Sequence, residues 1–339
     1  MKGATMTEKS ILLKVFLGPL LSLFIPWILT SEGYTAGESK LTVAMLRSAT
    51  QTPFYVAVES GLYKHFGLEV IPVQFSGGTQ SIMALISGDV QINTTGGPAA
   101  INAMMKGGNV VIIGANVGVF PYILYAHSGI KKAADLKGKR VGVAGLGGVT
   151  HFAMIYALRK LGLNPETDIT MTAMGAADTR LSATISGSIA ATLVQPPESL
   201  KARELGLNPI LNLAQSGVKF PSNQVAVNLN YLRSNRESVK QFMMGSIAGL
   251  GKLKSDRPFT IKVLEKYLRI SDPRLLAEAY DFWVSVYSPK FYADPEEIET
   301  YLALSKIKAR PQDFVDNSLL AELEREDFFD ETSKKYGLR

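Results

Sequence analysis

Lys139-Arg-Val-Gly-Val-Ala-Gly-Leu-Gly-Gly-Val-Thr150-His151 runs from a short apolar strand through a glycine-rich turn into an amphipathic helix. A helix that begins directly after such a turn leaves its first backbone N–H groups unpaired. It also points the positive end of its dipole at the turn, so the junction is built to receive an anion or a strong acceptor. The dinucleotide fingerprint Gly-x-Gly-x-x-Gly is incomplete here, because Gly145, Gly147 and Gly148 are followed by Thr150 where the last glycine belongs. The stretch alone leaves the ligand open.

Working outward, strand and helix alternate on both sides. Upstream, Leu41–Leu46 reads as strand, Pro53–Phe66 as a helix ending at Gly67, and Leu68–Phe75 as strand. Thr79–Ser87 follows as helix, Val90–Thr95 as strand, Gly97–Lys106 as helix and Val110–Ala115 as strand. Downstream the series starts again: strand Val141–Ala144, helix Val149–Leu161, strand Ile169–Ala173, helix Asp178–Ser186, strand Ile189–Val194, helix Pro197–Leu205 and strand Pro209–Leu213. This predicts an α/β fold of two doubly wound lobes. One pair of segments supports a repeat: Ala84-Leu-Ile-Ser-Gly-Asp-Val-Gln-Ile92 matches Ala183-Thr-Ile-Ser-Gly-Ser-Ile-Ala-Ala191, each closing a helix with glycine and opening a strand. A further strand at Val225–Leu229 leads to a helix over Arg236–Lys254, capped by Ser234 or Asn235, and then to helical segments near Phe259–Leu268, Pro273–Ser285, Pro295–Ile307 and Leu319–Glu326. Two hinge segments are expected near Tyr122–Gly129 and Gln215–Gln224. Lobe 1 is then 40–126 plus 222–339 with the C-terminal helices, and lobe 2 is 127–221.

Composition narrows the function. The chain has 339 residues, is 46% hydrophobic and contains no cysteine, so it holds a large core but no disulfide framework, thiolate nucleophile or lipid-modified cysteine. Lys2, Lys9 and Lys14 precede an uncharged run from Val15 to Leu29, which reads as a secretory signal peptide ending near residue 36. A spanning helix needs roughly 20 apolar residues, more than this proline-interrupted run offers. A periplasmic protein that is not a lipoprotein is expected. The first 33 residues carry three lysines and two glutamates, net +1, which leaves +5 of the formal +6 for the rest. The basic residues are scattered rather than clustered with aromatics, which argues against nucleic-acid binding.

The segment Ala57-Val-Glu-Ser-Gly-Leu-Tyr-Lys-His-Phe-Gly-Leu-Glu-Val70, the segment Ala84-Leu-Ile-Ser-Gly-Asp89, the Asp135-Leu-Lys-Gly-Lys139 core of Ile130–Val143, and the tail Phe314-Val-Asp-Asn-Ser-Leu-Leu320 together resemble the substrate-binding proteins of ABC importers in the SsuA/THI5-like (NitT/TauT, NMT1/THI5-like) group. The resemblance covers about residues 40 to 335. It implies a type II periplasmic-binding-protein fold, two lobes closing over one small molecule, delivery to an ABC permease in the inner membrane, no cofactor and a monomeric chain. Members of the group often carry several hydroxyl residues in the turn after the strand matching Val141–Ala144. Here only Thr150 and His151 keep polar side chains, so backbone N–H groups carry more of the binding.

Ligands of open α/β sheets collect where loops leave the carboxyl ends of the strands. The candidates in lobe 1 are Gln51, Thr52, Gly78, Thr79, Thr95 and Gly96. Those in lobe 2 are Gly148, Thr150, His151, Asp178 and Gln195. Arg47, at the end of the first strand, is a candidate fixed cation for a carboxylate or sulfonate. Each has a plainer role open to it: Thr79 and Asp178 as helix caps, Gln195 as a strand end before Pro196-Pro197, Arg47 as a surface charge. Sulfonates, nitrate-like ions, aromatic carboxylates and pyrimidines are all compatible with the group.

The rival reading is an enzyme on the same scaffold, a dinucleotide-dependent oxidoreductase or a pyrimidine-precursor enzyme. The ribose-binding acid expected about 20 residues after the glycines is missing from the end of the second strand, Met174-Gly-Ala-Ala177. Of the three histidines, His65 lies in a surface helix, His127 in the expected hinge, and only His151 at the glycine turn. The Gly-x-Ser-x-Gly, His-Glu-x-x-His and Walker A patterns do not occur. No catalytic or metal residue is assigned.

Overall fold

A computed structural model describes residues 39–75 and 77–336. The expected leader, residues 1–36, lies outside the described residues. The chain opens with β1 (Ser39–Leu46), α1 (Thr52–Glu59), α2 (Leu62–His65), β2 (Leu68–Phe75), α3 (Gly78–Ser87), β3 (Ile92–Asn93), α4 (Gly97–Met105) and β4 (Val110–Val119). It continues through β5 (Ile123–Ala126), β6 (Lys139–Val143), α5 (Val149–Lys160), β7 (Ile169–Ala173), α6 (Ala177–Ile185), β8 (Ala191–Val194), α7 (Glu198–Glu204) and β9 (Asn208–Asn212). It ends with β10 (Lys219–Asn228), α8 (Leu229–Ser234), α9 (Arg236–Ser255), α10 (Arg257–Leu268), α11 (Pro273–Val286), α12 (Pro295–Ser305), α13 (Ser318–Arg325) and α14 (Phe328–Tyr336).

The strands form two five-stranded sheets, ordered β2-β1-β3-β10-β4 and β7-β6-β8-β5-β9. In each, the first three strands are parallel and the fourth runs antiparallel to its neighbours. Parallel neighbours need crossover connections. The antiparallel strand of each sheet is the one that has just arrived from the other: β5 after the chain leaves the first sheet, β10 after it returns. Each sheet with its helices makes a lobe, and both lobes have the same strand order.

The repeat seen in the sequence is the same joint built twice. Gly88 at φ +90° and Gly187 at φ +74° end α3 and α6 in the left-handed conformation that glycine adopts without strain. Val90 N–H donates to Ala84 O and Ile189 N–H to Ala183 O, both at 3.2 Å. The strands that follow, β3 and β8, hold the same place in their sheets.

Several boundaries differ from the sequence reading. The helix expected over 53–66 is two helices, because Gly61 at φ +70° turns the chain and Ser60 Oγ donates back to Val56 O at 2.6 Å. The strand expected over 90–95 pairs only at Ile92–Asn93. Asn93 Oδ1 accepts from Thr95 N–H and Thr95 Oγ1 at 2.8 and 2.7 Å, which curls the chain away from the ladder. The segment expected as the first hinge contains β5, buried and paired with both β8 and β9, so the first crossing shortens to residues 120–122. The second crossing is residues 213–218, since Lys219 already pairs with Val119 and β10 carries Gln224 opposite Ala115. Pro221 is accommodated where the β10 register shifts between Lys219 and Asn223. Asn228 Oδ1 accepts from Asn230 and Tyr231 N–H at 2.9 and 3.4 Å and starts α8, which the sequence reading missed, as it did α14.

The C-terminal helices dock on lobe 1 through α9. A side chain on Gly245 would meet the Tyr63 ring, with Cε1 at 2.7 Å, and one on Gly249 would meet Ala57 Cβ at 2.8 Å, so the glycine face of α9 admits α1 and α2. Phe242 stacks on Tyr63 and Phe54 at centroid distances of 5.3 and 6.0 Å beside it.

Candidate functional site

The loops at the carboxyl ends of the parallel strands of both sheets face each other. In lobe 1, the loop after β1 is built around Ser48, whose Oγ accepts from Thr50 Oγ1 at 3.1 Å. Gln51 is fully buried, and its amide is committed: Nε2 donates to Thr94 O at 2.7 Å and Asn223 Oδ1 at 3.0 Å, while Oε1 accepts from Thr94 Oγ1 at 2.5 Å. Asn223 Nδ2 passes the chain on to Asn116 Oδ1 at 2.5 Å, and Asn116 Nδ2 returns it to Thr50 O at 2.7 Å. Asn116 and Asn223 were not singled out from the sequence. The available signal was the lone amide Asn116 inside the apolar β4 and the Asn223-Gln224 pair ahead of the apolar end of β10. Thr52 Oγ1 donates to Ala49 O at 2.6 Å, and Thr95 Oγ1 is held by Asn93. Gln51, Thr52 and Thr95 thus use their side chains to hold the loops. Gly78 and Thr79 form the first turn of α3, with Thr79 exposed. Arg47 is exposed and makes no hydrogen bond or ion pair among the described residues. Its charge opposes the burial that pushes the Tyr55 phenol up to about 12.

In lobe 2, Gly147 sits at φ +78° and Gly148 precedes the first turn of α5 in extended conformation. The two polar side chains of the stretch fold back on its own amides. Ala144 N–H donates to Thr150 Oγ1 at 2.9 Å and Gly147 N–H to His151 Nδ1 at 3.2 Å. An Nδ1 that accepts puts the imidazole proton on Nε2, and burial lowers the His151 pKa, so the ring is held neutral. The N–H groups of Gly148, Val149 and Thr150 precede the first intrahelical bond and remain for an acceptor in the cleft. Asp178, exposed in the first turn of α6, lies 3.6 Å from Lys201.

Two contacts join the facing loops. Gln195 Nε2, at the end of β8, donates to Ser48 Oγ at 3.2 Å. A side chain on Gly96, the residue before α4, would stand 2.9 Å from Val149 Cγ2 at the start of α5. Among the described residues Gln195 Oε1 is buried without a partner, as are Asn93 Nδ2, Ser222 Oγ and Gln224 Oε1 in lobe 1. Buried polar atoms in folded chains are rarely left unpaired.

Sequence reasoning also missed a charged group in lobe 2. Arg180 is only 4% exposed, with Nε donating to Thr192 Oγ1 at 3.1 Å, Nη2 to Leu193 O at 3.2 Å and Nη1 to Gly175 O. Nearby, burial and the Asp178 carboxylate push the Glu198 carboxyl up to about 7, against the pull of Lys201 and Arg180. The Tyr122 phenol, desolvated in the same region, rises to about 12. Asp178 was a ligand-contact candidate with a helix-cap alternative, but the cap position of α6 is Ala176 and no side chain bonds there; Arg180, two residues on, was not singled out. Among the described residues no group of three His, Asp or Glu side chains is placed to hold a metal ion.

Two lobes of identical strand order, joined by two short crossings and meeting at the loops of their parallel strands, define the periplasmic-binding-protein fold. Residues 48–256 match the NMT1/THI5 like family, and the chain belongs to that family. It is 25% identical over 223 residues to the riboflavin-binding protein RibY of Chloroflexus aurantiacus, a match covering 64% of this chain and 62% of the relative's length. Among solved structures it resembles the alkanesulfonate-binding protein SsuA from Xanthomonas axonopodis pv. citri bound to MOPS, with TM-score 0.67, 20% identity, and coverage of 84% of this chain and 97% of that one. It also resembles the desulfurization enzyme DSZB, with TM-score 0.65, 14% identity, and coverage of 85% and 99%.

Proposed function

We propose that the chain is the extracytoplasmic solute-binding component of an ABC importer, which holds one small molecule between its lobes and delivers it to a membrane permease. The observation that carries this reading is the meeting of Ser48 with Gln195 and of Gly96 with Val149, with Gln195 Oε1 buried and unpartnered. Closure brings the Gly148–Thr150 amides and the start of α4 over the same space, and a ligand with differential affinity for the closed state shifts the lobes toward it. In this reading Arg47, Gly78, Thr79, Gly96, Gly148 and Gln195 touch the ligand, while Gln51, Thr52, Thr95, Thr150 and His151 hold the loops that do. Asp178 acts on the site through Glu198.

The riboflavin-binding relative supports a heteroaromatic ligand; the likeness to SsuA leaves a sulfonate open. The likeness to DSZB favours a second reading, an enzyme on this scaffold. Against it stand the lack of a cysteine in the chain and the neutral His151 tied to Gly147. A thermal-shift screen against riboflavin, alkanesulfonates, nitrate and aromatic carboxylates separates the readings. A ligand at roughly 100 times its dissociation constant adds about 2.7 kcal/mol of stability. Stabilisation by one class without turnover is the expected result. Turnover of a candidate without stoichiometric binding would replace the receptor reading with the enzyme one.

A further inference from the structure

A cavity of about 690 Å³ lies where the two crossings meet α7 and α11. One face of α11 forms a wall, with Glu278, Asp281, Phe282, Ser285 and Val286 recurring at helical spacing. Val119 and Ile123 flank it at the first crossing, Ala214 and Gln215 at the second, and Arg203 projects from α7. None of the cleft residues placed above in contact with ligand lines it, and its link to them is Pro196, the residue after Gln195. Its volume falls within the range of small-molecule pockets, roughly 300–1,000 Å³, which favour domain interfaces.

The lining has a definite chemistry. Val119, Ile123, Phe282 and Val286 supply apolar surface. Two carboxylates line it with one guanidinium, Arg203, whose Nη2 donates to Glu278 Oε1 at 2.8 Å, while Asp281 meets the Arg257 guanidinium outside the lining. Asp281 has only a long contact of 3.4 Å with Arg257, and Glu278 Oε2 is buried with no partner. Burial also raises the Glu278 pKa, even with the Arg203 guanidinium beside it pulling it down. We propose that this cavity is a second ligand site, for a small organic cation with an apolar body such as an amidinium or primary ammonium, and that its occupant ties α7 of lobe 2 to α11. Other contacts at this junction fix the geometry the occupant would reinforce. Trp283 Nε1 donates to Pro196 O at 3.1 Å and Arg274 Nη1 pairs with Glu204 at 2.7 Å.

Trp283 packs edge-on against Phe282 at 5.2 Å, so its indole N–H reports on the cavity. The test is a titration of the chain without its expected leader with benzamidine, read on the indole N–H resonance of Trp283, its one tryptophan, with benzoate as the anionic control. The expected result is a saturable shift with benzamidine and none with benzoate. Glu278→Gln should weaken binding roughly tenfold. Asp281→Asn, at an exposed position, should also weaken it, Ala214→Phe should abolish it by filling the space, and Thr150→Ala in the cleft should leave it unchanged. No saturable shift with benzamidine, an equal response to benzoate, or undiminished binding in both Asp281→Asn and Ala214→Phe would overturn the proposal. None of these outcomes bears on ligand capture in the cleft.

Discussion

Gly147 carries the geometry of the glycine turn. At φ +78° it occupies backbone space that proline cannot enter, and its N–H is the donor that fixes the His151 ring. Gly147→Pro should therefore abolish ligand binding in calorimetry, with a strain cost of about 1–3 kcal/mol in urea unfolding. Thr150→Ala loses the bond to Ala144 N–H, about 1 kcal/mol, and should weaken binding without eliminating it. His151 adds a pH dependence. Its folded-state pKa is lowered by burial, so the unfolded chain binds the proton more readily. The stability that His151 contributes should fall as pH drops below about 6.5, the ordinary histidine value. In urea titrations from pH 7.5 to 5, His151→Gln should flatten that decline, and an unchanged slope would remove His151 from the account. The sequence marked these residues through their glycines. It did not show that Thr150 and His151 turn inward on their own loop, because that direction depends on how α5 leaves the turn.

Helix α12 illustrates what is legible in an element and what is not. Its start is readable from Asp294-Pro295, and the Asp294 side chain caps it by accepting from Glu296 N–H at 2.9 Å. Its inward residue was not foreseen. Glu297 is 5% exposed and accepts from Gln224 Nε2 on β10 at 2.8 Å, and its carboxylate presses into the space left by Gly118 on β4. Gly118 and Gln224 stand on the strands that enter and leave the crossings, so α12 clamps both. No local pattern pairs residues so distant in sequence. Burial pushes the Glu297 carboxyl up to about 8, with Asp294 adding to it and Lys219 opposing, while Lys219 is itself held by Asp294 and Glu296 at 2.7 Å. The folded chain thus holds this proton more tightly than the unfolded one. The stability that Glu297 contributes should decline as pH rises above about 4.5, the ordinary glutamate range, with the loss complete above the folded value near 8. Glu297→Gln keeps an acceptor for Gln224 and removes the charge, so its melting temperature should change less between pH 6 and 9 than that of the wild type. Gly118→Ala, which displaces the carboxylate, should cost about 1–3 kcal/mol in urea unfolding. A fully tolerated alanine would mean that α12 does not clamp the crossing strands.

At the scale of the whole molecule, the two-lobe plan was legible because the alternation of strand and helix restarts near Val141 and because the Ala84–Ile92 joint recurs at Ala183–Ala191. The crossings were placed too broadly. β5 is four residues long and the first half of β10 holds Pro221 and an irregular register, so neither shows the periodicity that reveals longer strands. The facing of Ser48 and Gln195 was legible only as two loop ends, since contact between lobes is set by the crossings and not by either loop. Capture of one small molecule between those loops is the central claim. It is tested most directly by calorimetry of the ligand that stabilises the protein best in the thermal screen, on the wild type and on Val149→Trp, whose indole would fill the space opposite Gly96. The account predicts one molecule bound per chain in the wild type and none in a Val149→Trp variant that melts normally. Equal affinity in the two proteins would contradict it.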